Sequence, residues 1–177
     1  MKLLFISLGC DKNLVDSEEM LGMLAADGHE IVDDEDEAEV IIVNTCCFIG
    51  DAKEESVNTI LEMAEKKKAG TCKVLIVTGC MAQRYKKEIS EEIPEVDAIL
   101  GTTSYGDISK AVKEAQAGRH FEEYKSIDFL PDISGKRMLT TGGHFAYLKI
   151  AEGCDKHCTY CIIPRLRGGY RSVPMEQ

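Results

Sequence analysis

The sequence predicts an α/β protein built on a three-layer, doubly wound and mostly parallel five-stranded sheet, and three observations carry that expectation. Short unbroken apolar runs recur at residues 3–6, 40–43, 74–77 and, more weakly, 98–100. Runs without alternation suit strands covered on both faces, as in a parallel sheet. Helical spacing fills the intervals between the runs. Glycines at 28, 70 and 118 close those helical stretches, where a left-handed cap residue is wanted.

Taken in order, residues 3–6 form the first strand. The stretch is too short for a signal segment, meets Gly9-Cys10 and then turns charged without a small-residue cleavage pattern. Leu14, Leu21, Leu24 and Ala25 mark a helix, and Ile31-Val32 a short strand. Only an acidic stretch separates Val32 from Val40, enough for a turn rather than a crossover helix. Beyond the run at 40–43, Val57, Ile60, Leu61 and Ala64 keep helical spacing, as do Ile108, Ala111, Val112 and Ala115 after the run at 98–100. This alternation defines a first domain over residues 1–118. If the strand order is 2-1-3-4-5, strands 1, 3 and 4 are neighbours. Across 119–143 the helical period lapses, and Pro131, Gly135 and Thr140-Thr141-Gly142-Gly143 read as a linker. Residues 145–150 read as another strand, so 144–177 is expected to begin a second domain that breaks off before it can enclose a cofactor.

Composition narrows the function. The chain has 177 residues, 44% of them apolar, with no run near the length of a membrane span, which places it among soluble globular proteins. A net charge of -10 argues against direct nucleic-acid binding by this region. The acidity gathers in Asp33-Asp34-Glu35-Asp36-Glu37 and at Glu88, Glu91, Glu92 and Glu95, which read as a solvated face or, secondarily, as a surface for a basic protein. Eight cysteines in a chain that reads as cytoplasmic favour metal or redox chemistry over a disulfide framework.

Six of those cysteines fall into two trios. Cys154, Cys158 and Cys161 have the spacing C-x3-C-x2-C, which can hold three irons of a four-iron cluster and leave the fourth open to a substrate. Zinc is the rival reading, although a structural zinc site closes with four ligands and this loop offers three plus His157. Cys10, Cys46 and Cys80 each follow a predicted strand. Ligands of doubly wound sheets bind beyond the carboxyl ends of the strands, so these thiols are expected to converge if the strand order holds. Their alternative is to be small core residues. Gly9 and Gly79 suit close backbone approach or an ordinary turn. Cys47 and Cys72 fit neither trio; the first reads as pointing away from Cys46, the second as lying on an exposed turn. His157, Arg165, Arg167 and Arg171 read by default as solvated loop charge, with binding of a carboxylate or substrate as the minority role.

The segments Ser7-Leu8-Gly9-Cys10-Asp11-Lys12-Asn13-Leu14-Val15-Asp16-Ser17-Glu18, Val43-Asn44-Thr45-Cys46, Thr78-Gly79-Cys80-Met81-Ala82-Gln83-Arg84-Tyr85 and Ala146-Tyr147-Leu148-Lys149-Ile150-Ala151-Glu152-Gly153-Cys154 together resemble the radical S-adenosylmethionine (SAM) methylthiotransferases. The resemblance covers essentially the whole chain. It implies an N-terminal domain holding an auxiliary [4Fe-4S] cluster on Cys10, Cys46 and Cys80. It further implies the start of a radical-SAM barrel holding a second [4Fe-4S] cluster on Cys154, Cys158 and Cys161, with Tyr160 beside the SAM cofactor. Asp11-Lys12-Asn13-Leu14-Val15-Asp16-Ser17-Glu18 and Ala52-Lys53-Glu54-Glu55-Ser56 look like the branch that modifies the β-carbon of an aspartate in a small-subunit ribosomal protein, the twelfth. An electron donor such as flavodoxin or ferredoxin is implied as a partner. Cys47, where that branch usually carries Gly, and Gly143, where Pro is common, depart from its pattern. A tRNA adenosine methylthiotransferase and, from another class, an iron-sulfur electron carrier or a plain ligand-binding α/β domain remain as alternatives. The 177-residue chain is expected to be inactive alone.

Overall fold

A computed structural model describes residues 1–131, 135 and 137–176. The elements run β1 (Lys2–Ser7), α1 (Asp11–Ala26), β2 (Glu30–Val32), β3 (Val40–Thr45), α2 (Gly50–Lys68), β4 (Val74–Gly79), α3 (Cys80–Arg84), α4 (Lys86–Glu92) and β5 (Ala98–Leu100). A 3-10 turn (Tyr105–Asp107), α5 (Ile108–Gln116), β6 (Phe121–Glu123), β7 (Ala151–Glu152), α6 (Ile163–Arg167) and β8 (Arg171–Ser172) follow. The main sheet has the order β2-β1-β3-β4-β5-β6 and every pairing in it is parallel.

Strand alternation divides the core into two layers. Ile41, Val43, Leu75 and Val77 face Ile60, Met63 and Ala64 of α2, while Val40, Ile42, Val74 and Ile76 face Met20 and Leu24 of α1 and the apolar stripe of α5. Every residue of β3 and β4 is buried, the condition read from their unbroken apolar runs. Gly28, Gly70 and Gly118 all have positive φ behind their helices, as their positions predict. The acidic stretch is a turn: Asp36 N–H donates to Asp34 Oδ1 at 2.8 Å, and Lys2 and Lys66 pair with Glu37 and Asp36.

Four details differ from the sequence reading. The sheet has six strands, not five, because Phe121–Glu123, at the start of the predicted linker, adds a parallel edge strand to β5. That segment is too short and too charged to show a strand period. Residues 145–150 form no strand: Val173 N–H donates to the Ile150 carbonyl at 2.9 Å, but among the described residues no ladder includes them, and regular pairing begins at Ala151–Glu152, antiparallel to β8. Leu61 and Ala25 lie on the outer edges of their helices, while Met63 and Met20 fill the core instead. Cys72 is buried rather than on an exposed turn, and its thiol donates to the Val74 carbonyl at 3.0 Å. Among the described residues, no helix is long and apolar enough to cross a membrane.

Gly79 ends β4 with φ +94, and a Cβ there would lie 2.3 Å from Asn44 Oδ1 and 2.6 Å from the Thr45 carbonyl oxygen. Gly118 has a similar φ but open space around it. Gly79→Ala is therefore expected to destabilise the fold by about 3 kcal/mol or more and Gly118→Ala by about 1 kcal/mol, compared by urea unfolding. Equal costs at the two sites would contradict the close approach at Gly79.

Candidate functional site

Cys10 caps the N-terminus of α1 just beyond β1, Cys46 follows β3, and Cys80 opens α3 directly after β4. These three strands are adjacent in the sheet, so the thiol-bearing segments share its carboxyl edge. Gly9 presses on Cys46: a Cβ there would come within 2.9 Å of the Cys46 Sγ. Asn13, fully buried on α1, joins all three segments. Its Nδ2 donates to the Leu8 and Thr45 carbonyls, each at 2.9 Å, and its Oδ1 lies 3.9 Å from the Cys80 Sγ. Cys46 and Cys80 are almost buried and Cys10 is exposed, so the trio is walled by protein on one side only. Burial pushes the Cys80 thiol up to about 11, with the nearby Arg167 guanidinium working in the opposite direction.

Among the described residues, no three His, Cys, Asp or Glu side chains are placed to coordinate one metal ion. The described thiols are therefore not gathered around a single point, as the ligands of a closed four-ligand zinc site would be. A four-iron cluster makes a different demand, because its thiolates bind separate irons and need a wider spread. Three thiols on one sheet edge, open on the Cys10 side, fit that demand in donor chemistry. Cys47 turns out of the trio, its thiol donating to the Cys80 carbonyl at 3.3 Å within the core. Burial raises its pKa.

The second trio lies on the loop between β7 and α6. Cys154 and Cys161 are half-buried and Cys158 is exposed. Cys161 N–H donates to the Cys158 carbonyl at 3.0 Å, and Cys154 N–H to that of Gly168 at 3.1 Å. His157 takes a positive φ of 47, the one non-glycine among the described residues to do so. Tyr160 is 88% exposed. A cleft of 420 Å³ separates this loop from the sheet edge. Phe48 and Arg84, from the segments after Cys46 and Cys80, line one side; His157, Cys158, Tyr160, Cys161 and Arg165 line the other.

Sequence reasoning missed the buried polar network beneath the loop. Arg167, read as solvated, is 4% exposed. Its Nη1 donates to Asp16 at 2.7 Å and Glu152 at 3.1 Å, and its Nη2 to Asn13 Oδ1 at 2.5 Å. Lys149 pairs with Asp16, and Lys12 donates to the Ala151 carbonyl at 2.8 Å. Burial opposes ionisation of Glu152, but Arg167, Lys149 and Lys12 together hold its carboxyl down to about 2. Glu18, also fully buried on α1, pairs with Arg137 and accepts from the Thr140 N–H at 2.7 Å and its hydroxyl at 2.8 Å. The available signal was the polar stripe Lys12, Asn13, Asp16 and Ser17, whose three- and four-residue spacing puts it on one helix face.

A family model described as uncharacterized protein family UPF0004 matches residues 2–101. Proteins named ribosomal protein uS12 methylthiotransferase RimO are similar along the chain. That of Lachnoclostridium phytofermentans is 64% identical over 177 residues, 100% of this chain and 40% of its own length. Those of Clostridioides difficile and Trichlorobacter lovleyi are 52% and 51% identical, each over 99% of this chain and over 40% and 39% of their own lengths. The chain thus spans about 40% of the length of the curated relatives it matches.

The Glu18 contacts generate a pH prediction. Burial would raise the Glu18 pKa, but the Thr140 N–H and hydroxyl and the Arg137 guanidinium outweigh it and hold the carboxyl below its ordinary range. A depressed folded-state pKa gives stability that is present above the unfolded value, about 4.3, and lost as pH falls through the folded value. Glu18→Gln should lower neutral-pH stability by about 1–3 kcal/mol and flatten the acid limb of the stability curve. Urea midpoints between pH 3 and 7 check it; parallel curves for the two proteins would refute the assignment.

Proposed function

Because this chain belongs to the UPF0004 family of methylthiotransferases, we propose that it is part of a radical-SAM enzyme that inserts a methylthio group at the β-carbon of an aspartate in ribosomal protein uS12. The observation that supports this reading is the carboxyl edge of three adjacent parallel strands shared by Cys10, Cys46 and Cys80, with a cleft running from the segments after Cys46 and Cys80 to the loop that carries Cys158 and Cys161. When bound, two four-iron clusters and SAM supply the one-electron chemistry that an unactivated C–H bond requires, and the sulfur that is transferred.

The chain's own residues hold and orient these groups. Cys10, Cys46 and Cys80 would ligate the auxiliary cluster, and Cys154, Cys158 and Cys161 the SAM-binding one, each trio leaving one coordination position free. Tyr160 lines the cleft next to the second trio and would contact SAM. Asn13 fixes the backbone before Cys10 and Cys46. Gly9, without a side chain, lets that backbone lie against Cys46. In this reading residues 1–118 form the auxiliary-cluster domain. Residues 119–143 connect it, contributing the edge strand Phe121–Glu123, to the start of the radical-SAM domain at 144–177. Activity belongs to a protein of the relatives' length, and this chain alone is expected not to turn over. The substrate places the enzyme in the cytoplasm, with a flavodoxin or ferredoxin as electron source.

Iron and sulfide content after anaerobic reconstitution tests the two-site reading. The chain should bind about eight irons, falling to about four when Cys10, Cys46 and Cys80 are all replaced by alanine. Four irons lost entirely in that variant would leave only the N-terminal site competent in this chain, and none in either protein would defeat the reading. With protein of the relatives' length, mass spectrometry should detect methylthiolated uS12. Modification of tRNA adenosine instead would reassign the substrate.

A further inference from the structure

The network around Arg167 joins the two cysteine sites through one unbroken series of contacts. Cys154 N–H donates to the Gly168 carbonyl at 3.1 Å, next to Arg167. The preceding residue, Leu166, is buried in the sheet's core, and its carbonyl accepts from the Thr102 hydroxyl at 2.7 Å. Arg167 is therefore anchored on both flanks. Its guanidinium reaches Asn13 Oδ1 at 2.5 Å, and the same Asn13 amide touches the backbone ahead of Cys10 and Cys46 and lies 3.9 Å from the Cys80 Sγ.

We propose that Arg167 is a positioning residue for the N-terminal cysteine site: docked from the C-terminal segment, its guanidinium fixes Asn13 and supplies positive charge beside Cys80. This rests on the reading of Cys10, Cys46 and Cys80 as cluster ligands. Arg167 is buried and does not line the cleft beside Cys158 and Cys161, so its action passes through Asn13 and through charge. A thiolate at Cys80 adds negative charge to a pocket that already holds the Asp16 and Glu152 carboxylates. Among the described residues Arg167 is the cation that faces all three, while Lys149 pairs with the two carboxylates and Lys12 with Glu152. The planar fork matters as well as the charge, because one guanidinium serves Asn13, Asp16 and Glu152 together, which an ammonium on a flexible stem does not reproduce. The N-terminal site is thus completed by a segment more than 80 residues beyond its last cysteine.

The test isolates the N-terminal cluster in the full chain by replacing Cys154, Cys158 and Cys161 with serine. In that background Arg167→Met, Arg167→Lys and the exposed control Arg119→Met are compared with the parent for iron per chain, reduction midpoint and the electron paramagnetic resonance spectrum of the reduced cluster. Cluster potentials follow local charge and hydrogen bonding to the sulfurs. Arg167→Met should shift the midpoint negative and alter the spectrum. Arg167→Lys should restore most of the midpoint but not the spectrum, and Arg119→Met should change neither. A folded Arg167→Met protein with the parent's iron content, midpoint and spectrum would overturn the proposal. Should Arg167→Met fail to fold, an Arg167→Lys spectrum identical to the parent's would overturn it as well. A parent that takes up no iron would instead defeat the cluster reading itself, a separate outcome that removes this proposal with it.

Discussion

A guanidinium taken out of water must be paired, and Arg167 meets that requirement only through groups drawn from both halves of the chain. The desolvation of a buried ion costs several kcal/mol and is offset only where geometry and hydrogen bonding are good. Asp16 and Asn13 come from α1, Glu152 from β7, and Lys149 from the segment before it. Lifting residues 149–167 away would leave Asp16 without either cation, and keeping them in place without α1 would strand Arg167. Docking is therefore closer to all-or-none than a hydrophobic contact of the same size. A network of this kind contributes definition of one arrangement more than net stability.

The same helix that supplies those polar groups is held by the sheet on its other side. Met20 and Leu24 pack on Leu3, Val40 and Ile42, and the strands beneath are paired in fixed register, Ser7 opposite Asn44 and Thr45 opposite Gly79. Strands buried on both faces cannot slip by one residue without exchanging their two layers. The starting points of the Cys10, Cys46 and Cys80 segments are consequently set by core packing, far from any group the thiols hold. Side chains at the end of such a scaffold are positioned more narrowly than those on a free loop. The contrast within this chain is direct, since Cys158 and Tyr160 stand on an exposed loop whose anchors are the Gly168 carbonyl and α6.

The parallel strands were legible because burial on both faces leaves an unbroken apolar run, and the three helix ends because glycine alone takes positive φ without cost. Those two signals locate the strands and helix ends; the order of β1 to β5 is a condition supplied by the doubly wound class, and with it the common edge for Cys10, Cys46 and Cys80, both of which the sheet displays. What escaped was of another kind. Phe121–Glu123 is a strand through its neighbour β5, not through its own pattern. Residues 145–150 have strand composition without a ladder among the described residues, and composition cannot supply one. Arg167 escaped for the most general reason. An arginine in a loop-rich sequence is exposed by default, and only the three-dimensional meeting of α1 with β7 reveals the carboxylates that allow it inside. The polar stripe on α1 carried half of that information, and the other half lay more than 130 residues away.

Exposure within the first trio gives that edge a direction. Cys46 and Cys80 are closed in by the core and by Asn13, and Cys10 alone meets solvent, at the helix N-terminus. A group held by all three thiols would be walled in behind and open in front, toward whatever approaches past Cys10. Phe48 and Arg84, which follow the other two cysteines, border the cleft that the second cysteine loop closes from the far side. Under the proposed function, a substrate carbon must meet both sites in succession, so two separately open sites would serve only if they opened onto shared space. The cleft runs from Phe48 and Arg84, on the segments that follow two of the first trio, to Cys158 and Cys161 of the second, and the docked loop forms its far wall. The buried charges around Arg167 keep it there, which is why a network with no direct part in the chemistry would govern whether the chemistry can occur.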